Sequence, residues 1–282
     1  MRKILHSMFM VLMIVLAYGS VAQAYPTLVD GTTDIKFFNY ENMLDNPTDT
    51  TANHLKNVIS IGDVFYGVAS AQTFTEPGSA TQYWSASATD NLASYFVLEV
   101  KNVELISGDS YKITFGAISN TSQDPNGILT SQDVLNGVVE KLYYDTSPLT
   151  FGTSVAADVL SATNGSEYAT LTLTGTSYWF GIGYIDPTLA ATNYLSNNFF
   201  GLDSLTKFGN IDPILIKNPA LSSTVLSEVV GESTIIKNKD NTVWSYKSTD
   251  PFRVATPEPT TILIVGSGLV GLFAIRRRGK RN

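Results

Sequence analysis

A chain of 282 residues is long enough to bury a core without covalent staples, and with no cysteine it can hold no disulfide, thiolate metal site or cysteine nucleophile. Charged residues make up only 15% and aromatics 11%, against a background rich in Thr, Ser, Asn and Gly, a mixture that favours strands and turns over helices. The formal charge of −7 conceals a body, residues 25–257, in which 24 acidic side chains face 11 basic ones, a formal −13 that repels phosphate backbones and argues against nucleic acid as a partner.

Taken in chain order, residues 1–24 have the three regions of a secretory signal peptide. Arg2 and Lys3 are basic, Met8 to Tyr18 is an apolar run, and the small residues Ala22 and Ala24 flank Gln23. The run covers 11 residues, well short of the ~20 that a spanning helix needs, so cleavage after Ala24 is expected, leaving Tyr25 first. Signal peptidase and the general secretion machinery are the partners this segment implies.

Residues 25–245 read as one β-rich extracytoplasmic domain. Strand-like stretches lie at Ile35 to Tyr40, Val58 to Ala69, Ser94 to Val103, Tyr111 to Ala117, Val138 to Tyr144, Ala169 to Leu173, Tyr178 to Ile185 and Thr242 to Tyr246. Turn signals at Ser107-Gly108-Asp109, Asp124 to Gly127, Asn164-Gly165 and Asp186-Pro187 divide them. Many short strands between turns predict an antiparallel β-sandwich or jelly-roll. Helix is expected at Thr188 to Asn198, and near Thr130, where Thr130 and Asp133 have capping-box spacing.

Catalytic motifs are sparse. The body has a single histidine, His54, in a polar stretch, and no nucleophile elbow, zinc helix, Walker loop or dinucleotide fingerprint. Glu99, Glu104, Glu140, Asp158 and Asp186 are equivalent candidates for a glycosidase pair, so none is singled out. Asp124, Asn126 and Asp133 suit calcium by chemistry but lack EF-hand spacing, and a plain turn is the stronger reading. No catalytic residue, resident metal or cofactor is assigned, and the chain is expected not to be an enzyme. Trp84, Trp179 and Trp244 are candidates for a sugar-stacking platform, although neighbours on a strand face opposite ways and core packing is the default for such rings.

The C-terminal end has three segments. Residues 246–259 are expected as a stalk that closes on Pro257-Glu258-Pro259, where proline keeps the backbone extended. Residues 260–275 form an apolar segment of 16 residues, about 24 Å as a helix against a hydrocarbon thickness of about 30 Å, hence one short transmembrane helix. Arg276, Arg277 and Arg278, within the basic end 276–282, resist translocation and act as a membrane stop that leaves the body outside.

This order of Pro-Glu-Pro, short span and basic end, opposite a signal peptide, resembles the PEP-CTERM sorting signal of Gram-negative bacteria. The resemblance covers about residues 256–281, with Thr256 where Val often precedes the triplet. It implies recognition by an exosortase-type processing protease, passage through the inner membrane, and a final place at the cell surface or in the extracellular matrix. The expected function is then a non-catalytic surface or matrix protein associated with exopolysaccharide and biofilm. Alternatives are a carbohydrate-binding module using exposed aromatics and, behind it, a secreted carboxylate-based polysaccharide hydrolase.

Overall fold

Two neighbouring strands explain most of the architecture. β2 (Val64–Thr75) and β4 (Asn91–Ser107) each begin with eight consecutive buried residues, the pattern of a strand covered on both faces. Phe65, Ala69, Ala71, Leu92, Phe96 and Leu98 point to one apolar core, and the alternate positions Val64, Tyr66, Val68, Ala93, Tyr95 and Val97 to another.

The computed structural model describes residues 31–46, 59–174, 177–184, 193–206, 214–217, 224–227, 229–238 and 243–256. Besides β2 and β4 it contains β1 (Gly31–Leu44), β3 (Gln82–Ser85), β5 (Ser110–Gly116), β6 (Val138–Asp145), β7 (Ser166–Thr172), β8 (Tyr178–Gly183) and β9 (Asn193–Thr206). The remaining strands are β10 (Ile214–Lys217), β11 (Thr224–Ser227), β12 (Val229–Lys237) and β13 (Tyr246–Thr256), and the helices are α1 (Ser131–Leu135) and α2 (Val155–Thr163). Among these residues no helix is long and apolar enough to cross a membrane. Ala22, Ala24, His54, Asp186, the Pro257-Glu258-Pro259 triplet, the expected span at 260–275 and Arg276 to Arg278 lie outside the described residues.

The fold is mainly β, as the composition requires, and the ladder closes on itself. Antiparallel pairs run β1, β2, β4, β6, β7, β9, β12, β13 and back to β1, a ring of eight, while β5 and β8 make a second bridge from β4 to β9. This corrects the expected sandwich or jelly-roll. Strands of 12 to 17 residues such as β1, β2 and β4 twist and tilt far enough for the first strand to meet the last, which removes the open edges two facing sheets would have.

The first core fills the ring, with Phe37, Phe65, Phe74, Phe200, Phe252 and Leu142 among its buried members. The second lies on the outer face of β2 and β4 beneath α2, with Leu129, Val159, Ala162 and Trp244. α1 starts at the expected capping box: the Thr130 hydroxyl accepts from Asp133 N at 3.2 Å, and Asp133 Oδ2 accepts from Thr130 N at 2.8 Å.

Three expectations change along the chain. Residues 246–256, expected mostly as a stalk, form β13, paired from Gly31↔Thr256 to Glu41↔Tyr246 along β1. The portion of the expected helix that is described, 193–198, belongs to β9, where pairing with β12 on one edge and β8 on the other overrides the local pattern. The second predicted strand starts only at Val64, after a turn at Ile61-Gly62.

Candidate binding groove

β12 and β13 are zipped at both ends and separated in the middle. Val229↔Val254, Val230↔Arg253 and Gly231↔Phe252 pair at one end, Ile236↔Lys247 and Lys237↔Tyr246 at the other, in a single register. No ladder pair joins 232–235 to 248–251. The local cause is legible: Pro251 has no N–H to donate, and β12 shifts register against β9 between Ser233 and Ile236, which bends the strand away.

A cavity of about 550 Å³ occupies this gap, within the size range of small-ligand sites. Strand alternation decides what it displays. Glu232, Thr234 and Ile236 of β12 and Lys247 and Thr249 of β13 face outward, with Phe38 of β1 on one side and Phe199 of β9 on the other. Ser233 and Ser248 point inward and form a buried floor, where the Ser248 hydroxyl donates to Glu41 Oε1 at 2.5 Å.

Each wall continues as a row of rings. Phe38 meets Tyr40 edge-on at 4.9 Å and Tyr40 meets Phe151 at 6.1 Å, while Phe199 lies 5.5 Å from Phe180, itself 6.1 Å from Tyr178. Lys112 Nζ stands 5.0 Å over the Phe180 ring. Burial pushes the Tyr178 hydroxyl above its ordinary pKa, so that row stays uncharged at neutral pH. The half-buried Phe38 and Phe199, bordering hydroxyl, carboxylate and ammonium groups, suit a polyhydroxylated ligand, whose C–H faces stack on rings while its hydroxyls find donors and acceptors.

The expected tryptophan platform does not form. Trp179, 5% exposed, lies inside the ring of strands, 4.7 Å from Phe200 and 6.5 Å from Phe96. Trp244 is fully buried in the second core and donates from Nε1 to Asp158 Oδ2 at 2.6 Å. Trp84 leans on Phe74 at 4.7 Å on β3, half-buried. An indole enclosed by protein has no face left for a sugar. Tyr178, one position before Trp179, is half-buried, whereas Phe180, one position after it, is 2% exposed and packs between Phe199 and Tyr178; Phe199 directly follows the stretch expected as helix.

The described carboxylate candidates sit in different surroundings. Glu99 accepts from Lys101 Nζ at 2.6 Å and Ser119 Oγ at 3.0 Å; burial alone would raise its pKa, yet these donors and Gln123 hold it below the usual carboxylate range. Glu140 is buried on the interior face beside Phe96, Glu104 is exposed near the end of β4, and Asp158 sits on α2. The calcium candidates serve as staples. Asp124 accepts from the Tyr95 hydroxyl at 2.5 Å, Asn126 N at 3.1 Å and Leu129 N at 2.8 Å, and Asp133 is held by Thr130 and by Lys141 Nζ at 2.8 Å.

Fold and groove together define a closed antiparallel β domain whose first and last strands lie side by side. Just past that seam, residues 255–278 match the family described as the PEP-CTERM protein-sorting motif, so the chain carries a PEP-CTERM sorting signal at its C-terminal end. The motif implies an exported protein processed by an exosortase and sorted to the envelope or cell surface. Neither a curated protein nor a solved structure matches the chain.

Proposed function

We propose that the exported domain is a non-catalytic surface or matrix protein that binds polysaccharide of the extracellular layer through the groove between β12 and β13. The observation that carries this reading is the groove itself: about 550 Å³ between Phe38 and Phe199, lined by Glu232, Thr234, Lys247 and Thr249, of which Glu232 and Thr249 are exposed. The sorting motif supports an envelope or cell-surface setting, in which a groove of this kind meets extracellular polymers.

The test is binding of the purified protein to a panel of neutral and acidic polysaccharides by affinity electrophoresis and calorimetry. Stacking on each ring is worth about 0.5–1.5 kcal/mol, so Phe38→Ala with Phe199→Ala together should weaken binding by about 2 kcal/mol, roughly thirtyfold in Kd. Their melting temperature should remain near wild type, because both rings are only half-buried. Trp84→Phe should bind as wild type. Retained affinity in the double variant would reject the groove. Release of reducing ends from any of the polysaccharides, abolished by Glu232→Gln, would replace the binding reading with the hydrolase.

A further inference from the structure

The sorting tail begins where the fold has no slack. Phe252, Arg253 and Val254 are paired on both sides, to β12 at Gly231, Val230 and Val229 and to β1 at Ile35, Asp34 and Thr33. Ala255 and Thr256 remain paired to Thr32 and Gly31 of β1, and the next residue is Pro257. The strand end is also fastened by side chains. Phe252 is buried against Phe37 at 4.5 Å and Phe200 at 4.9 Å, and Arg253 grips Asp34 in a two-pronged ion pair, Nε to Oδ1 at 2.6 Å and Nη2 to Oδ2 at 3.0 Å. The hydrogen bond to Asp34 raises the already high Arg253 pKa further, so the guanidinium is charged at every physiological pH.

A protease cleft binds its substrate as an extended chain, through main-chain groups on both sides of the scissile bond. In this protein the main-chain groups just before the triplet are committed to the sheet. Between Phe252 and Lys247, β13 is paired to β1 but not to β12, so only 252–254 are held on both edges, and fraying from the Thr256 end frees the stretch 252–256, a short latch, without unzipping the rest of the strand from β1.

We propose that closure of this latch competes with exosortase for residues 253–256, and that Asp34 and Arg253 are positioning residues that set how often the tail is presented for processing. This rests on the sorting reading of the tail. The chain enters the periplasmic side N-terminus first, so β13 is the last strand to arrive, and the sorting step and completion of the ring draw on the same residues at the same time.

The experiment follows the full precursor in cells containing its exosortase, by pulse-chase immunoblot, with mass spectrometry of the mature C-terminus. Asp34→Asn removes an exposed ion pair of the strength usual for such pairs and should speed appearance of the processed form by about two- to fivefold. The exchange Asp34→Arg with Arg253→Asp should restore the wild-type rate. Six Gly/Ser residues inserted between Thr256 and Pro257 should speed processing as well and make Asp34→Asn without effect, which a merely structural role of the pair would not produce. Unchanged or slower processing in both Asp34→Asn and the spacer variant, while alanine at Pro257, Glu258 and Pro259 blocks it, overturns the latch and leaves sorting intact. If the alanine triplet is processed like wild type, the sorting reading fails and the latch falls with it.

Discussion

Asp158 is a heavily committed carboxylate beside the second core, and its removal tests whether that core is held by polar staples as well as by packing. It is 0% exposed and lies in the first turn of α2. Oδ2 accepts from Gly152 N and Trp244 Nε1, both at 2.6 Å, and Oδ1 accepts from Thr153 N at 3.1 Å. Asp158→Ala leaves the buried Trp244 Nε1 without an acceptor, at about 1–3 kcal/mol, and removes the hydrogen bonds of two backbone N–H groups at the exposed residues Gly152 and Thr153, at about 0.5–1.5 kcal/mol each. Relaxation and water entry make such losses less than additive, so the expected cost is about 3–5 kcal/mol, a large share of the 5–15 kcal/mol typical of a folded domain. Trp244→Phe removes one donor, leaves the carboxylate with two backbone N–H groups and should cost less, about 1–3 kcal/mol. Urea unfolding followed by far-UV circular dichroism measures both. A midpoint for Asp158→Ala that corresponds to under about 1 kcal/mol, or a Trp244→Phe loss as large as that of Asp158→Ala, would refute the reasoning.

Thr130→Ala breaks the capping box of α1 and should cost about 0.5–2 kcal/mol by the same unfolding assay. Burial alone would raise the Asp133 pKa, yet Lys141 and Thr130 hold it below the usual carboxylate range. Its stabilisation is therefore present above the unfolded carboxylate pKa and lost as pH falls through the lower folded value; Asp133→Asn should flatten that acid limb, and an unchanged limb would count against the assignment. Burial, with a smaller contribution from Tyr83, pushes the Tyr168 hydroxyl up to about 12, so the folded state loses roughly 2–3 kcal/mol between pH 10 and 12, a loss that Tyr168→Phe should remove in alkaline melts. A Cβ at Gly231 would run into the Phe200 ring and the Pro251 carbonyl at the end of the groove, so Gly231→Ala should lower stability by about 1–3 kcal/mol, and an unchanged urea midpoint would mean that the strands meet differently there.

Residues whose role depends only on near neighbours could be read in one dimension. The Thr130 and Asp133 spacing is a local device and folds as written, as does the Ser107-Gly108-Asp109 turn, where Gly108 takes φ +53° between β4 and β5. The PEP-CTERM motif at residues 255–278 is an address read from order and composition, so no fold is needed to recognise it. The mainly β character follows from β-branched and aromatic residues between turn formers in the same way.

What the tertiary structure decided is everything that depends on which face and which partner a strand chooses. A shift of one position exchanges inside for outside, so Phe200 is core while Phe199 lines the groove, and a second core over β2 and β4 claims Trp244. The groove exists because Pro251 and a bend in β12 hold apart the middles of strands that only closure of the ring brings together. The supposed stalk is a strand because β1, more than 200 residues earlier, is there to pair with it. Local composition sets strand propensity, whereas pairing between distant segments is selected by the total burial it achieves, a quantity that no window of sequence contains.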